Sequence, residues 1–169
     1  VPDDASCLFI FAPATDLSED EANKIITYLE NGGKALIVSD YTDQEMPNFA
    51  SVLENYGVQT VDGIVMEGDT SHYISQNPYY LLPNIESNDV TSGLSSQSRY
   101  VLLALAQGIE TMDNIRDSLN IESILTTSDS AYSKTDLENM QTMEKESSDI
   151  EGPFDLGVSI TEDVGDDAQ

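Results

Sequence analysis

The first 66 residues alternate between short, continuously apolar runs and segments in which apolar residues recur with helical spacing. Apolar runs at residues 7–11 and 35–38 predict two buried strands, because such runs have no solvent-facing positions, and residues 59–66 give a third strand. Consecutive strands separated by helices pair in parallel and place the helices on the faces of the sheet. We therefore predict an α/β fold with three layers and a mainly parallel sheet.

Both predicted helices carry chemical signals at their ends. The first begins with a capping box at Ser18 and Glu21, in which each side chain can hydrogen-bond the backbone of the other residue. Its apolar residues follow at helical spacing, and the pair Gly32-Gly33 ends it, because glycine tolerates the left-handed conformation found after a helix. Pro47 begins the second helix.

From Glu67 onward the alternation weakens. We expect a polar loop over residues 67–77 and a mobile excursion over residues 128–152, or a marginal helix around residues 135–143 within it. Further strand candidates lie at residues 79–85, 99–106, 121–127 and 154–160. We predict one domain over residues 1–161 and an acidic linker over residues 162–169 that leads toward a missing C-terminal segment.

The charge of the chain excludes two classes of partner. The sequence has 32 acidic and 6 basic side chains, and its net charge is −26. Nucleic acids and anionic membrane surfaces are bound by clusters of Lys and Arg, which this chain lacks. The sequence contains no run of about 18 apolar residues, and it begins without Met at Val1. We expect it to be a piece of a longer chain.

The residues needed for common catalytic sites are scarce. His72 is the only histidine, and it lies in a polar stretch where we expect it to face solvent. Cys7 is the only cysteine, and its apolar neighbours predict a buried core thiol. The sequence contains no nucleophile elbow and no phosphate-binding loop. One His and one Cys are too few to predict a zinc site. We predict no catalytic residues, no metal site and no cofactor.

Carboxylates are the one abundant reactive group. They follow the first predicted strand at residues 16–21 and the second at residues 40–45, so that both groups lie at the carboxyl end of a parallel sheet, where ligands tend to bind. Their oxygens could hold calcium or magnesium. Helix capping and a solvated surface explain the same residues, and we favour that interpretation.

The same two loops suggest a binding crevice. Hydroxyl, carboxylate and aromatic groups at the two strand ends can hydrogen-bond and stack a neutral polar ligand such as a sugar. Ordinary turn chemistry is the alternative. A further alternative is a hydrolase or transferase that uses Asp16 and Asp40 as an acid/base pair. The predicted ligand-binding residues are Pro13, Thr15, Asp16, Ser39, Asp40 and Tyr41.

A series of short motifs, taken in order, resembles a known family. The motifs include the segments 8–13, 17–21 and 28–36, then 53–58 and 125–128, and finally Gly152-Pro153 before Leu156-Gly157-Val158. Their content and order resemble the GldG-type auxiliary component of uncharacterised ABC transport systems, which is associated with gliding motility. The resemblance covers nearly the whole chain.

This resemblance implies a fold and a function. The family's sheet is similar to flavodoxin-like and class I glutamine-amidotransferase-like sheets, and it is related to a domain of an intraflagellar transport protein. The implied protein is a non-enzymatic, extracytoplasmic domain, anchored by transmembrane helices outside this fragment. It would act beside an ABC permease and ATPase by binding a ligand, for example a sugar, or a partner protein. A purely structural module that forms a homodimer through a sheet edge remains an alternative.

Overall fold

The computed structural model describes residues 1–2, 4–95 and 99–163, which contain thirteen strands and three helices. The strands are β1 Leu8–Phe11, β2 Ala35–Val38, β3 Val58–Thr60, β4 Ile64–Met66, β5 Tyr73–Ile74, β6 Asn77–Leu81, β7 Asn84–Ile85, β8 Leu103–Ala104, β9 Ile109–Thr111, β10 Leu119–Thr126, β11 Tyr132–Lys134, β12 Ile150–Glu151 and β13 Asp155–Glu162. The helices are α1 Glu19–Glu30, α2 Pro47–Asn55 and α3 Ser92–Ser95.

The chain divides into two compact units, and neither is continuous in sequence. Unit 1 comprises Val1–Gln59, Thr111–Asn120 and Ile160–Gln169, and unit 2 comprises Thr60–Glu110 and Ile121–Ser159. The single domain over residues 1–161 stays a prediction, as does the acidic linker. Glu162, where we placed the start of that linker, is the last residue of β13, and residues 164–169 lie outside the described part of the chain.

Unit 1 contains the strand and helix pattern that the sequence predicts. β1 and β2 pair in parallel, with Leu8 opposite Ala35 and Phe11 opposite Val38. The capping box at the start of α1 is present: the Glu21 N–H donates to Ser18 Oγ at 3.3 Å, and the Ser18 N–H donates to Glu21 Oε2 at 2.8 Å. The buried residues Ala22, Ile25 and Val52 of the two helices form the core, against which Leu8, Ile10, Leu17, Ile26, Leu29 and Ile37 pack.

Unit 2 is built from short strands around a different core. Val65, Leu81, Ala131 and Phe154 form a buried cluster, and a second cluster contains Ile64, Met66 and Tyr132. Antiparallel pairs join β4 to β11, β11 to β12, β5 to β6, β6 to β8 and β7 to β10. The sheets that the described residues form have the strand orders β1-β2, β3-β9-β13-β10-β7, β12-β11-β4 and β5-β6-β8.

The predicted three-layer, mainly parallel, flavodoxin-like or amidotransferase-like fold is wrong. Only β1 and β2 form a parallel pair among the described pairings, and the other sheets are mostly antiparallel. The alternation of strands and helices ends after α2, and strands joined by short connections pair antiparallel, because a parallel pair needs a long crossover.

One glycine explains why the third predicted strand failed. The run at residues 59–66 is divided at Gly63, whose φ is +89°, a conformation that glycine adopts without strain. A Cβ atom at Gly63 would lie 2.1 Å from the carbonyl oxygen of Lys134. The division leaves β3 and β4 in different sheets, so that the run is not one strand of a parallel sheet.

The segment at residues 128–152 contains strands instead of the marginal helix. Tyr132, Ser133 and Lys134 form β11 and are all buried, and residues 135–143 contain no helix. The Tyr132 hydroxyl donates to the carbonyl oxygen of Met143. The mobility of residues 128–152 stays a prediction.

Candidate functional site

The carboxyl ends of β1 and β2 lie side by side. The two strands are parallel and in register, and the Ala12 N–H donates to the carbonyl oxygen of Val38 at 2.8 Å, just beyond the last paired residues. The loops over residues 12–17 and 39–46 therefore leave the sheet at adjacent points. These loops carry the six predicted ligand-binding residues.

Asp16 caps the second helix from a distance. Its Oδ2 accepts hydrogen bonds from the Asn48 N–H at 3.1 Å and from Asn48 Nδ2 at 2.8 Å, and its Oδ1 accepts one from the Phe49 N–H at 2.9 Å. Burial acts to raise the pKa of Asp16, but these hydrogen bonds outweigh it and hold the pKa below the ordinary value of 3.8. The carboxylate therefore satisfies backbone donors in the first turn of α2.

The other predicted residues are more open. Thr15, Asp40 and Tyr41 are exposed, while Pro13 and Ser39 are half-buried. Asp40 Oδ1 accepts a hydrogen bond from the Tyr41 N–H at 2.9 Å, which leaves the rest of its carboxylate facing solvent. Of the six predicted ligand-binding residues, Thr15, Asp40 and Tyr41 therefore face outward.

This geometry weakens the interpretation of Asp16 and Asp40 as an acid/base pair. A general acid must hold a proton near neutral pH, and the lowered pKa of Asp16 keeps it ionised. Both Asp16 oxygens also accept hydrogen bonds from Asn48 and Phe49, which hold the carboxylate against the first turn of α2. The structure favours a structural role for Asp16.

The sequence contains a signal for this cap that we did not use. Met46 occupies the N-cap position of α2 and makes no side-chain cap hydrogen bond, and Pro47 follows it. A helix whose N-cap is an apolar residue leaves its first N–H groups without a local partner, so an acceptor must come from elsewhere in the chain. The sequence analysis also missed Asn48 as a partner of Asp16. Besides its hydrogen bond to Asp16, Asn48 Nδ2 donates to the carbonyl oxygen of Leu17 at 2.8 Å.

His72 lies in a hydrogen-bonded group in unit 2. Its Nδ1 is 3.1 Å from Ser71 Oγ and 3.6 Å from Asp69 Oδ2, and its Nε2 is 3.1 Å from Asn84 Oδ1. Ser71 Oγ also donates to Asp69 Oδ1 at 2.8 Å. Both ring nitrogens of His72 therefore have polar neighbours within the chain, which suits a residue that fixes a loop.

Cys7 and the groups that could bind a metal ion are the remaining candidates for chemistry. Cys7 is exposed, so the prediction of a buried core thiol is wrong. Within residues 1–2, 4–95 and 99–163, no group of three or more His, Cys, Asp or Glu side chains is arranged to hold a metal ion.

A family model decides what kind of protein this is. The model described as "ABC-type uncharacterized transport system" matches residues 1–165. The chain belongs to this family. The resemblance to an auxiliary component of an ABC transport system is therefore confirmed.

A solved structure shares the fold of this ABC transport family member. The chain is similar to the mmIFT52 N-terminal domain, with a TM-score of 0.57 and 17% sequence identity. The match covers 75% of this chain and 54% of that one, so the chain spans about half of the solved domain. No curated protein sequence matches the chain. None of the helices in the described residues is both long enough and apolar enough to cross a membrane.

Proposed function

We propose that this chain is a non-enzymatic, extracytoplasmic domain of an auxiliary ABC transport component, which acts by binding a ligand or a partner protein. The match of the family model to residues 1–165 carries the proposal. The hydrogen bonds that occupy Asp16 support a binding role over catalysis by an Asp16 and Asp40 pair. Transmembrane helices elsewhere in the full-length protein would provide the anchor.

The extracytoplasmic location is tested by labelling in intact cells. Tyr100 is 84% exposed, so a cysteine at this position can react with a membrane-impermeant maleimide. We propose to introduce Tyr100→Cys into full-length protein that also carries Cys7→Ser. We expect labelling in intact cells at the same level as in permeabilised cells. Labelling that requires permeabilisation would place the domain in the cytoplasm and overturn this part of the proposal.

The ligand is proposed to contact the open loops at the ends of β1 and β2. A neutral sugar can stack on Tyr41 and accept or donate hydrogen bonds at Thr15 and Asp40, all three of which are exposed. We propose a thermal-shift screen of the full-length protein with neutral mono- and disaccharides, since a ligand that binds the native state raises Tm.

The variants that decide the screen are Asp40→Asn and Tyr41→Ala, with Glu45→Gln as a control in the same loop. We expect a sugar-dependent rise in Tm that both variants abolish and the control retains. A panel in which no sugar raises Tm would remove carbohydrate from the proposal. Copurification of the permease and ATPase with the full-length protein tests partner binding separately.

A further inference from the structure

Asn31-Gly32 is the only asparagine-glycine pair in the sequence. In such a pair the backbone nitrogen of glycine can attack the side-chain carbonyl carbon of the asparagine, because glycine has no Cβ atom that hinders the approach. Asn31 and Gly32 are both exposed, and the space beside the Gly32 Cα atom is open among the described residues. The surroundings of the pair therefore leave room for this reaction.

The pair ends helix α1 and leads toward β2. Asn31 is the C-cap residue, with a φ of −88° and a ψ of 21°, and Gly32 follows in the left-handed region with a φ of +82°. Asn31 Nδ2 donates to the carbonyl oxygen of Thr27 at 2.7 Å, which satisfies a carbonyl group at the helix end. The Gly32 N–H donates to the carbonyl oxygen of Leu29 at 2.9 Å. Both reacting nitrogens are therefore hydrogen-bonded in the folded protein.

We propose that Asn31 is a site of spontaneous deamidation and that the last turn of α1 controls the rate of the reaction. The Gly32 nitrogen forms a bond to Asn31 Cγ and loses its proton, and the bond from Cγ to Nδ2 breaks, so that ammonia leaves. The product is a five-membered succinimide ring. Water then opens the ring at either carbonyl carbon and gives aspartate or isoaspartate at position 31. The reaction consumes one water molecule and needs no other co-reactant.

Ring closure requires the end of α1 to open locally. The attacking nitrogen must lose its proton, but the Gly32 N–H is held by the carbonyl oxygen of Leu29. The ring also requires rotation about the Asn31 Cα–C bond, away from the ψ of 21°, to bring this nitrogen beside Asn31 Cβ. Helix ends open at a lower free-energy cost than the core of a protein. The folded protein therefore reacts more slowly than the unfolded chain, but it does react.

Deamidation changes the charge and the hydrogen bonding at the end of α1. A carboxylate at position 31 cannot donate to the carbonyl oxygen of Thr27 as Asn31 Nδ2 does. Its negative charge lies at the negative end of the helix dipole, beside Glu30, and the sequence of the last turn, residues 27–30, contains no Lys or Arg. Isoaspartate also adds one carbon atom to the backbone before β2. The reaction therefore destabilises unit 1, at the end of β2 opposite the candidate site.

Peptide mapping of the full-length protein measures the reaction directly. The protein is incubated at mildly alkaline pH, in buffer and in denaturing guanidinium chloride, and aspartate and isoaspartate at position 31 are quantified by mass spectrometry over time. We expect conversion of Asn31 in both states, on the order of tenfold more slowly in buffer. Asn23 is the internal reference, because it is exposed in the same helix but precedes Lys24, whose side chain hinders the attack.

The outcomes of this experiment decide the two parts of the proposal. Absence of conversion at Asn31 in buffer, or conversion of Asn23 at the same rate, would overturn the site. Conversion that is equally fast in buffer and in denaturant would overturn the control by α1.

A pair of variants tests the control by the helix end. The Lys34 N–H donates to the Tyr28 hydroxyl oxygen at 3.3 Å, which ties α1 to the residue before β2. Tyr28→Phe removes this acceptor and loosens the turn, and we expect Asn31 to convert about threefold faster in buffer. Tyr100→Phe removes a hydroxyl from an exposed side chain in unit 2 and is expected to leave the rate unchanged. An unchanged rate in Tyr28→Phe, or equal acceleration in both variants, would contradict the proposed control.

Asn31→Asp imitates the aspartate product in the full-length protein. We expect its Tm at pH 7 to be lower by about 2 °C, because the carboxylate lies at the negative end of the α1 dipole. Asn23→Asp makes the same change of charge nearer the amino end of α1 and is expected not to lower Tm. Equal losses from the two variants, or no loss from Asn31→Asp, would contradict the proposed effect of deamidation on stability.

Discussion

The two units differ in whether their buried polar groups have hydrogen-bond partners. In unit 2, the buried polar residues all have partners: Glu67 accepts hydrogen bonds from the Ser128 N–H at 2.7 Å and from Ser128 Oγ at 2.8 Å, and Ser133 Oγ donates to the carbonyl oxygen of Asp62 at 2.6 Å. In unit 1, Asn55 Nδ2 and Tyr56 Oη are buried without a partner among the described residues. Burial raises the pKa of Tyr56 to about 12.

The two units also differ in where their exposed apolar side chains lie. In unit 1, Phe9 and Phe11 are exposed on a paired strand, while exposed apolar side chains of unit 2 such as Val90 and Tyr100 lie outside helices and strands. Each unit nevertheless has completely buried core residues, Val52 in unit 1 and Val65 and Leu81 in unit 2. The difference teaches that a correct local pattern of strands and helices does not determine which sides of those elements are buried.

The largest expected effect concerns the buried ion pairs of unit 2. Lys134 Nζ lies 2.7 Å from Glu146 Oε2 and 3.0 Å from Asp149 Oδ2, and the side chains of Lys134 and Asp149 are 2% and 3% exposed. Lys134→Met leaves Asp149 buried without its cation. We expect a loss of about 3 kcal/mol in the free energy of unfolding at pH 7, measured with urea.

The matched control is Lys145→Met. Lys145 pairs with Glu151 at 2.6 Å, but these side chains are 43% and 78% exposed, and solvent screens such a pair. The control is expected to leave the free energy of unfolding nearly unchanged. If the two variants behave alike, the contrast between buried and solvated charges in unit 2 is wrong.

The sequence predicted unit 1 better than unit 2 for a physical reason. The capping box of Ser18 and the glycines after α1 are local signals, and local hydrogen bonds produce the helix that they predict. Antiparallel pairing in unit 2 joins residues far apart in sequence, such as Met66 and Tyr132. Nothing in the polar sequence around Lys134 shows that this side chain will be buried with Asp149.

The candidate site was also predicted only in part. The positions of the loops after β1 and β2 followed from the parallel pattern of the sequence. The role of Asp16 did not, because its partners lie 32 and 33 residues away at Asn48 and Phe49. The exposure of Cys7 was also missed, since an apolar sequence pattern does not reveal which of its residues are covered by the rest of the chain.

The second prediction tests whether the two units unfold together. Leu81 in unit 2 and Val52 in unit 1 are both completely buried. We expect Leu81→Ala to lower the free energy of unfolding by roughly 3 kcal/mol and Val52→Ala by roughly 2 kcal/mol, because each creates a cavity in a core. In accord with the predicted single domain, both should shift one transition in urea, followed by far-UV circular dichroism and by tyrosine fluorescence. Two transitions, each shifted by only one of the variants, would show that the units unfold separately.

The smallest expected effect concerns the remote cap of α2 and depends on pH. Hydrogen bonds from Asn48 and Phe49 outweigh burial and lower the pKa of Asp16 in the folded protein relative to the ordinary value of 3.8. The ionised carboxylate therefore stabilises the folded state above pH 3.8, and this contribution is lost as the pH falls through the lower, folded-state pKa.

Asp16→Ala should consequently lower Tm at pH 7, and its difference from the unsubstituted protein should shrink as the pH is lowered below 4. Asp40→Ala removes the same charge from the neighbouring loop, where the carboxylate accepts only the hydrogen bond from Tyr41 among those described. Its effect on Tm at pH 7 should be smaller. Equal effects of the two variants would mean that net charge, and not the cap of α2, accounts for the stabilisation by Asp16. The interpretation of Asp16 and Asp40 as an acid/base pair would then have to be tested again.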